Sequence, residues 1–412
     1  TPGFVMSMYS LLRSSKEPPS MEQIEECLAG NLCRCTGYRP IVDAFRVFAK
    51  TDNSLYANNN SAYPEKQSKV ICPSTGRPCD CATGVQNGSI HECSSPSVRV
   101  NCHGDTDNSS VHELIFPPEL LTRKPYPLSL KGSRGTMWFR PLNLQDALTL
   151  RSKFPDSKLI VGNTEVGIET KFKKMDYRVF IAITNVQELN FLRVTDGGLE
   201  IGASVTLTDL FDTLKQCVAN HEAYEMSTCS AFIEQLRWFA GSQIRNVASV
   251  GGNICTASPI SDLNPLWIAA NAQFNIINCN GTRRTICAKH FFKGYRKVDL
   301  KTGEILLSVF LPFSRQYEYV KEFKQAHRRD DDIAIVNAGM RVYFEQKDNL
   351  LSVSDLSLVY GGVAPVSLSA IKTEEFLKGK QWTYETFQSA LKLLHQDISI
   401  PTDAPGGMVE FR

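Results

Sequence analysis

Apolar positions recur at helical spacing at the start of the chain. Phe4, Met8, Leu11 and Leu12 share one side of a predicted helix, and Pro2 suits its first position because no N–H is needed there. Ser20 with Gln23 three residues on forms a capping-box pattern before Ile24, Cys27 and Leu28, which predicts a second helix. Pro40 opens a third stretch with Ile41, Ala44, Phe45 and Phe48 on one face. Between the second and third lies the turn Asn31-Leu32-Cys33-Arg34-Cys35-Thr36-Gly37. From 52 to about 112 the period stops, and polar, turn-rich stretches such as Asn58-Asn59-Asn60-Ser61 predict a linker too poor in apolar surface to offset its ordering entropy. A dense mixture of elements follows. Strands are predicted at 158–161, 178–183, 198–203, 274–277 and 304–309, with a helix at 230–239 between them. A last unit starts near Tyr317, with strands at 333–336, 340–344 and 356–359 and a helix at 384–396. No internal repeat stands out.

Composition narrows the function classes. Hydrophobic residues make up 42% and charged residues 21% of the 412, as in ordinary globular protein. A net charge of +2 gives no sign of a nucleic-acid or anionic-membrane partner. No uninterrupted apolar run approaches the ~18 residues of a membrane-spanning helix. Of thirteen cysteines, eight lie in residues 1–102 and five beyond, an odd total whose irregular spacing argues against a secreted disulfide framework. A reducing, cytoplasmic setting is therefore expected, with some cysteines serving a metal. Those at 72, 79, 81, 93 and 102 match no standard zinc-finger spacing and read as unligated linker thiols. The chain opens on Thr1 and stops at Arg412 without a tapering tail, so it reads as a fragment.

Four segments carry candidate chemistry. Cys33 and Cys35 in a helix–helix turn bring two thiols together, with Arg34 and Arg39 expected to favour the thiolate form. A zinc ion or an iron–sulfur cluster needs four ligands, and two are local. Lys158 to Glu169 reads as a strand ending in a Gly/Asn-rich turn, where Gly162, Asn163 and Gly167 can take positive φ and successive N–H groups can cradle a dinucleotide pyrophosphate. In the second glycine-rich segment, Ala248 to Cys255, Ser249 and Asn253 suit phosphate oxygens, and Asp262 beyond it suits a ribose hydroxyl. Neither is the G-x-G-x-x-G fingerprint, so a doubly wound nucleotide domain is not expected. Phe291-Phe292-Lys293-Gly294-Tyr295-Arg296-Lys297 joins an aromatic platform to positive charge, as a nicotinamide with its phosphates requires. Gln325 to Asp332 is a charge run that composition alone would place in a solvated loop.

Thr1-Pro2-Gly3-Phe4-Val5-Met6-Ser7 and Gly30-Asn31-Leu32-Cys33-Arg34-Cys35-Thr36-Gly37-Tyr38-Arg39-Pro40 resemble the helical 2Fe-2S domain of the xanthine dehydrogenase and aldehyde oxidase family of molybdo-flavoproteins. The two glycine-rich segments, with Gly241-Ser242-Gln243-Ile244-Arg245-Asn246, resemble its FAD domain. The resemblance implies a multidomain chain: an all-α 2Fe-2S helical part at 1–51, a linker at 52–112, an α+β FAD-binding domain of the p-cresol methylhydroxylase-like type at 113–315, and an α+β C-terminal subdomain at 316–412. It implies FAD contacts at Leu159, Ile160, Val161, Gly162, Asn163, Thr164, Glu165, Val166, Phe239, Ser249, Gly252, Asn253, Asp262, Leu306 and Lys324, the last offering charge near the flavin's pyrimidine side. Cys33 and Cys35 match two cluster ligands, and the other two belong before Thr1. Tyr295 matches the nicotinamide-stacking position of the NAD-using, plant-type dehydrogenases, while Arg328 and Asp331 match residues controlling access of NAD or oxygen to the flavin. The implied chemistry is oxidation of hypoxanthine and xanthine to urate at a molybdenum–pterin centre expected beyond Arg412, with electrons passing through iron–sulfur clusters to FAD and NAD. A homodimer is expected of the full-length protein, and no catalytic residue is assigned within this chain. The rival readings are an aldehyde oxidase using oxygen and a non-enzymatic, zinc-binding cysteine-rich protein.

Overall fold

The computed structural model describes residues 2–50, 118–328, 331–347 and 350–412. The expected linker with its cysteines, and Arg329 and Asp330 of the charge run, lie outside the described residues. The chain divides into two units, Thr1–Phe48 with Pro125–Arg412, and Ala49–Lys124. In the second, the described residues include the helix Pro118–Thr122.

The three expected helices are Pro2–Ser14, Met21–Leu28 and Arg39–Phe45, the last continued by a 3-10 turn, Arg46–Phe48. The capping box closes: Gln23 N–H donates to Ser20 Oγ at 3.1 Å and Ser20 N–H to Gln23 Oε1 at 2.8 Å, satisfying two amides that a bare helix end leaves open. Phe4, Met8, Ile24 and Leu28 form the buried seam that their spacing predicts. The third helix departs from expectation, because none of its residues is buried and Phe48 is exposed.

Three larger sheets, with a two-stranded pair of Phe292–Gly294 and Lys297–Val298, build the rest. Leu128–Lys131, Met137–Arg140, Val179–Ala182 and Lys158–Ile160 lie side by side in that order, antiparallel at the first pair and parallel at the others. A five-stranded antiparallel sheet runs Leu192–Thr195, Gly198–Gly202, Ile305–Pro312, Gln273–Ile277, Arg283–Cys287. Helices Leu207–Asn220, Ser227–Arg237 and Asn264–Ala269 contribute to the main core with this sheet, where Phe232, Trp267, Phe274 and Phe291 are sealed from solvent. The Phe232–Trp267 rings lie 4.4 Å apart, and such a pair adds about 0.5–1.5 kcal/mol beyond its buried area. The third sheet, Glu318–Gln325, Val336–Lys347, Leu350–Gly361 and Leu368–Ser369, is antiparallel and accompanied by helices Ile371–Leu377 and Tyr384–Asp397. Among the described residues no helix is long and apolar enough to cross a membrane.

One expected strand is corrected. Residues 333–335 are not sheet, and pairing begins only at Val336. Asp332 Oδ1 accepts the Ile333 amide at 2.9 Å, which turns the chain before the ladder starts and leaves Ile333 68% exposed. The strands expected at 340–344 and 356–359 are central parts of two much longer ones.

A buried arginine joins the third sheet to the main core. Arg341, 4% exposed, donates to Ala269 O at 2.9 Å, Glu318 Oε1 at 2.7 Å and Asp355 Oδ2 at 2.5 Å. Burial would raise the Glu318 carboxyl, but hydrogen bonds from Arg315 and Arg341 hold it below the usual range. A carboxylate depressed in this way stabilises the fold fully above the ordinary glutamate pKa of about 4.3, and loses that contribution as pH falls through its own lower value. Glu318→Gln is therefore expected to cost about 1.5–3 kcal/mol at neutral pH and much less near pH 3. Thermal unfolding across that range checks it, and an equal loss at both ends would remove Glu318 from the acid limb.

Candidate flavin site

Lys158–Ile160 is the edge strand of its sheet and delivers a tight turn at its end. A Cβ on Gly162 would overlap the carbonyl of Val247, so glycine is required here by close approach, and its φ is not positive. The expectation of positive φ holds at Asn163, φ 59°, and fails at Gly167, which lies inside the helix Val166–Lys171. The amides of Gly162, Asn163, Thr164, Glu165 and Val166 donate to no acceptor among the described residues. Five successive open N–H groups are available to an anion.

This turn lines a cavity of about 760 Å³, within the range of roughly 300–1,000 Å³ typical of organic-ligand sites. Leu159, Ile160, Val161, Gly162, Asn163, Thr164, Glu165 and Val166 line it, as do Phe239, Ser249, Gly252, Asn253, Asp262, Leu306 and Asp331. Strand end, loop and helix start thus bring distant segments to one wall. The second glycine segment also lines the cavity, but its backbone is engaged. It forms the helix Val250–Thr256, whose first amides are already paired: Val250 with Val205 O, Gly251 with Ala203 O, Gly252 with Ser249 Oγ. Asn253 Oδ1 accepts the Ser261 hydroxyl at 3.2 Å. The open amides for a phosphate therefore belong to the first turn.

Lys324 does not reach the cavity wall. Its side chain is 7% exposed and donates to Asp262 Oδ2 at 2.7 Å, Trp238 O at 2.8 Å and Asp332 O at 2.8 Å, so a solvated surface lysine is excluded. Burial pushes the Asp262 carboxyl up to about 6, with Lys324 working against that rise. The 2.7 Å contact supports a charged pair at neutral pH. Asp262 faces the cavity and Lys324 backs it.

Sequence reasoning missed Arg296 as a wall residue. It sits at φ 53° in the turn joining Phe292–Gly294 to Lys297–Val298 and contacts Glu165 Oε1 at 2.6 Å. Glu169, against Lys158 at 2.8 Å and Tyr177 at 2.9 Å, is held below the usual carboxylate range by them although burial opposes it. These cations offset the two glutamates beside the open amides, so an anion meets no net negative charge there. Hydrophobic period gives no signal for such a pair, 131 positions apart. Tyr295, next to Arg296, is 62% exposed and outside the cavity wall. Arg328 is also outside it, its amide donating to Asp332 Oδ2 and its guanidinium to Asp331 O, both at 2.8 Å.

In the cysteine turn, Thr36 Oγ1 donates to Cys33 Sγ at 3.3 Å. That hydroxyl first, and the backbone of Thr36 and Cys35 after it, lower the Cys33 pKa; Arg34 and Arg39 are not the cause, contrary to expectation. Cys27 is pushed up to about 11 by burial and suits packing rather than ligation. Among the described residues no third His, Cys, Asp or Glu joins Cys33 and Cys35.

Residues 131–314 match the model for the FAD binding domain in molybdopterin dehydrogenase, 321–412 that for the CO dehydrogenase flavoprotein C-terminal domain, and 1–46 that for a 2Fe-2S binding domain. Xanthine dehydrogenase 1 of Arabidopsis thaliana is 60% identical over the whole chain, and xanthine dehydrogenase/oxidase of Gallus gallus 43%. The chain spans 30% of the length of each. Carbon monoxide dehydrogenase from Hydrogenophaga pseudoflava shares the fold with a TM-score of 0.58 at 23% identity, covering 70% of this chain and 93% of that one. Quinoline 2-oxidoreductase from Pseudomonas putida 86 gives 0.56 at 23%, covering 66% and 89%. Identity to the dehydrogenases along the whole of this chain, with cluster-domain, flavin-domain and C-terminal matches in one order, fits a fragment of the xanthine dehydrogenase family of molybdo-flavoproteins.

Proposed function

We propose that this chain is the flavin and iron–sulfur electron-transfer portion of an NAD-dependent xanthine dehydrogenase, with FAD in the 760 Å³ cavity. In this reading hypoxanthine and xanthine are oxidised to urate at a molybdenum–pterin centre outside the chain, in a cytoplasmic homodimer. The parts are 1–51, 52–112, 113–315 and 316–412. The observation that carries the flavin assignment is the row of five open amides lining the cavity, which suits a pyrophosphate with no cation needed in direct contact. Bound there, FAD would supply the exchange between electrons arriving singly and a two-electron hydride for NAD, the proton coming from solvent. The chain's own residues orient and enclose. The 162–166 turn holds the phosphates, Phe239 and Leu306 give apolar wall, and the Asp262–Lys324 pair fixes the wall around them. Tyr295 offers an exposed ring for nicotinamide stacking, and Asp331 stands where the charge run meets the cavity. Cys33 and Cys35 would hold one side of a cluster.

The test is the visible spectrum of the FAD-supplied protein before and after anaerobic NADH. A flavin spectrum that bleaches supports both sites. A bound flavin that stays oxidised favours oxygen as acceptor, and a folded protein that takes up no FAD overturns the reading. Tyr295→Ala is expected to retain FAD while raising the NADH needed for half-bleaching by up to about tenfold, the worth of one stacked ring pair. An unchanged NADH requirement would remove Tyr295 from the nicotinamide site.

A further inference from the structure

One short segment touches both the cavity and the cysteine-bearing helices. Phe239, Ala240 and Ile244 line the cavity, whereas Gln243, between the last two, does not. Its side-chain amide lies between two glycines. A Cβ on Gly30 would overlap Gln243 Nε2, and a Cβ on Gly241 would come within 2.5 Å of Oε1. Gly30 has φ 83°, follows the helix Met21–Leu28 and stands three residues before Cys33, so space and backbone conformation both demand glycine there. Beside this contact, Glu22 pairs with Arg237 at 3.4 Å and Glu26 with Lys215 at 3.7 Å, partly exposed pairs of the kind that hold little alone. On the other side of the same turn, buried Arg245 donates to Phe239 O at 2.9 Å and Ala240 O at 2.6 Å, fixing the stretch that walls the cavity. The helix Ser242–Arg245 therefore has the cavity at one side and the helical module at the other.

We propose that Gln243 is a positioning residue: its fit against Gly30 seats the Cys33–Cys35 module on the flavin-binding domain and couples that seat to occupancy of the cavity. The inference rests on the flavin reading above. Coupling of this kind is reciprocal, so a ligand that orders 239–245 tightens the seat, and a proper seat tightens the ligand by the same factor.

The experiment combines amide hydrogen exchange in Met21–Leu28, with and without FAD, and FAD affinity from quenching of its fluorescence. It compares wild type, Gly30→Ala, Gln243→Ala and the pair. FAD is expected to slow exchange in Met21–Leu28 of wild type by about fivefold or more. Gly30→Ala weakens FAD by a similar factor although Gly30 is not a wall residue. Adding Gln243→Ala recovers part of that loss, because the overlap goes and the positive φ remains. Gln243→Ala alone leaves the helices folded but their exchange indifferent to FAD, and this variant decides the matter if Gly30→Ala unfolds the module. The proposal is overturned if wild type binds FAD while exchange in Met21–Leu28 ignores it, or if a folded Gly30→Ala binds FAD as wild type does. Wild type that takes up no FAD overturns the flavin assignment, and the coupling with it, a result distinct from either of these.

Discussion

Gly162→Ala is expected to weaken FAD binding by about 100-fold or more, the equivalent of roughly 3 kcal/mol. The added methyl would overlap the Val247 carbonyl, which is backbone and has no rotamer to move into. Either the 162–166 turn shifts, closing its row of open amides, or the Val247–Ala248 turn shifts and carries Ser249 with it. Both routes disturb the cavity, and both also destabilise the empty protein. Gly252→Ala is the useful contrast. Its methyl would meet only the Ser249 hydroxyl, at 2.8 Å, so the empty protein should unfold within a few degrees of wild type. Titration with FAD and thermal unfolding of both variants separate the cases. Wild-type FAD affinity in Gly162→Ala would show that the turn is not the phosphate cradle.

The strands that sequence reading located are those with strong apolar runs and β-branched residues. Lys158–Ile160, Val179–Ala182, Gly198–Gly202 and Ile305–Pro312 all carry buried side chains toward a core, and burial is what the pattern encodes. Leu128–Lys131 was invisible for the opposite reason: its residues are exposed or half-exposed, so no alternation marks it. The 333–335 run shows the converse failure, an apolar stretch that leaves Ile333 exposed and meets the neighbouring strand only at the Ile335 amide. The cavity-facing segments were legible as glycine-rich turns, but the role of each glycine was not. Gly162 answers to a backbone 85 positions away, and that depends on tertiary contact rather than on local conformation. Charged residues were the least legible of all. Lys324 was expected at the flavin and Arg296 in a nicotinamide loop, Glu318 and Arg341 carried no expectation, and each acts through a partner that only the fold brings near.

Lys324→Met carries the larger expected loss of stability, about 3–5 kcal/mol, because it leaves Asp262 buried without its counter-charge. Trp238 O and Asp332 O lose a donor at the same time. Two signs distinguish this from the modest effect of removing a surface lysine. The first is pH. With Lys324 gone, the Asp262 carboxyl, already pushed up to about 6 by burial, rises further. An acid whose folded pKa exceeds its unfolded value near 3.9 stabilises the fold when protonated and loses that contribution as pH rises. The variant should therefore regain stability on acidification below neutral pH, relative to wild type. The second is rescue, since adding Asp262→Asn removes the stranded charge and should return a substantial part of the loss. Unfolding midpoints of both variants against pH provide the measurement. A loss below about 0.5 kcal/mol, independent of pH, would mean that the pair contributes nothing to the wall and that Lys324 behaves as a solvated side chain.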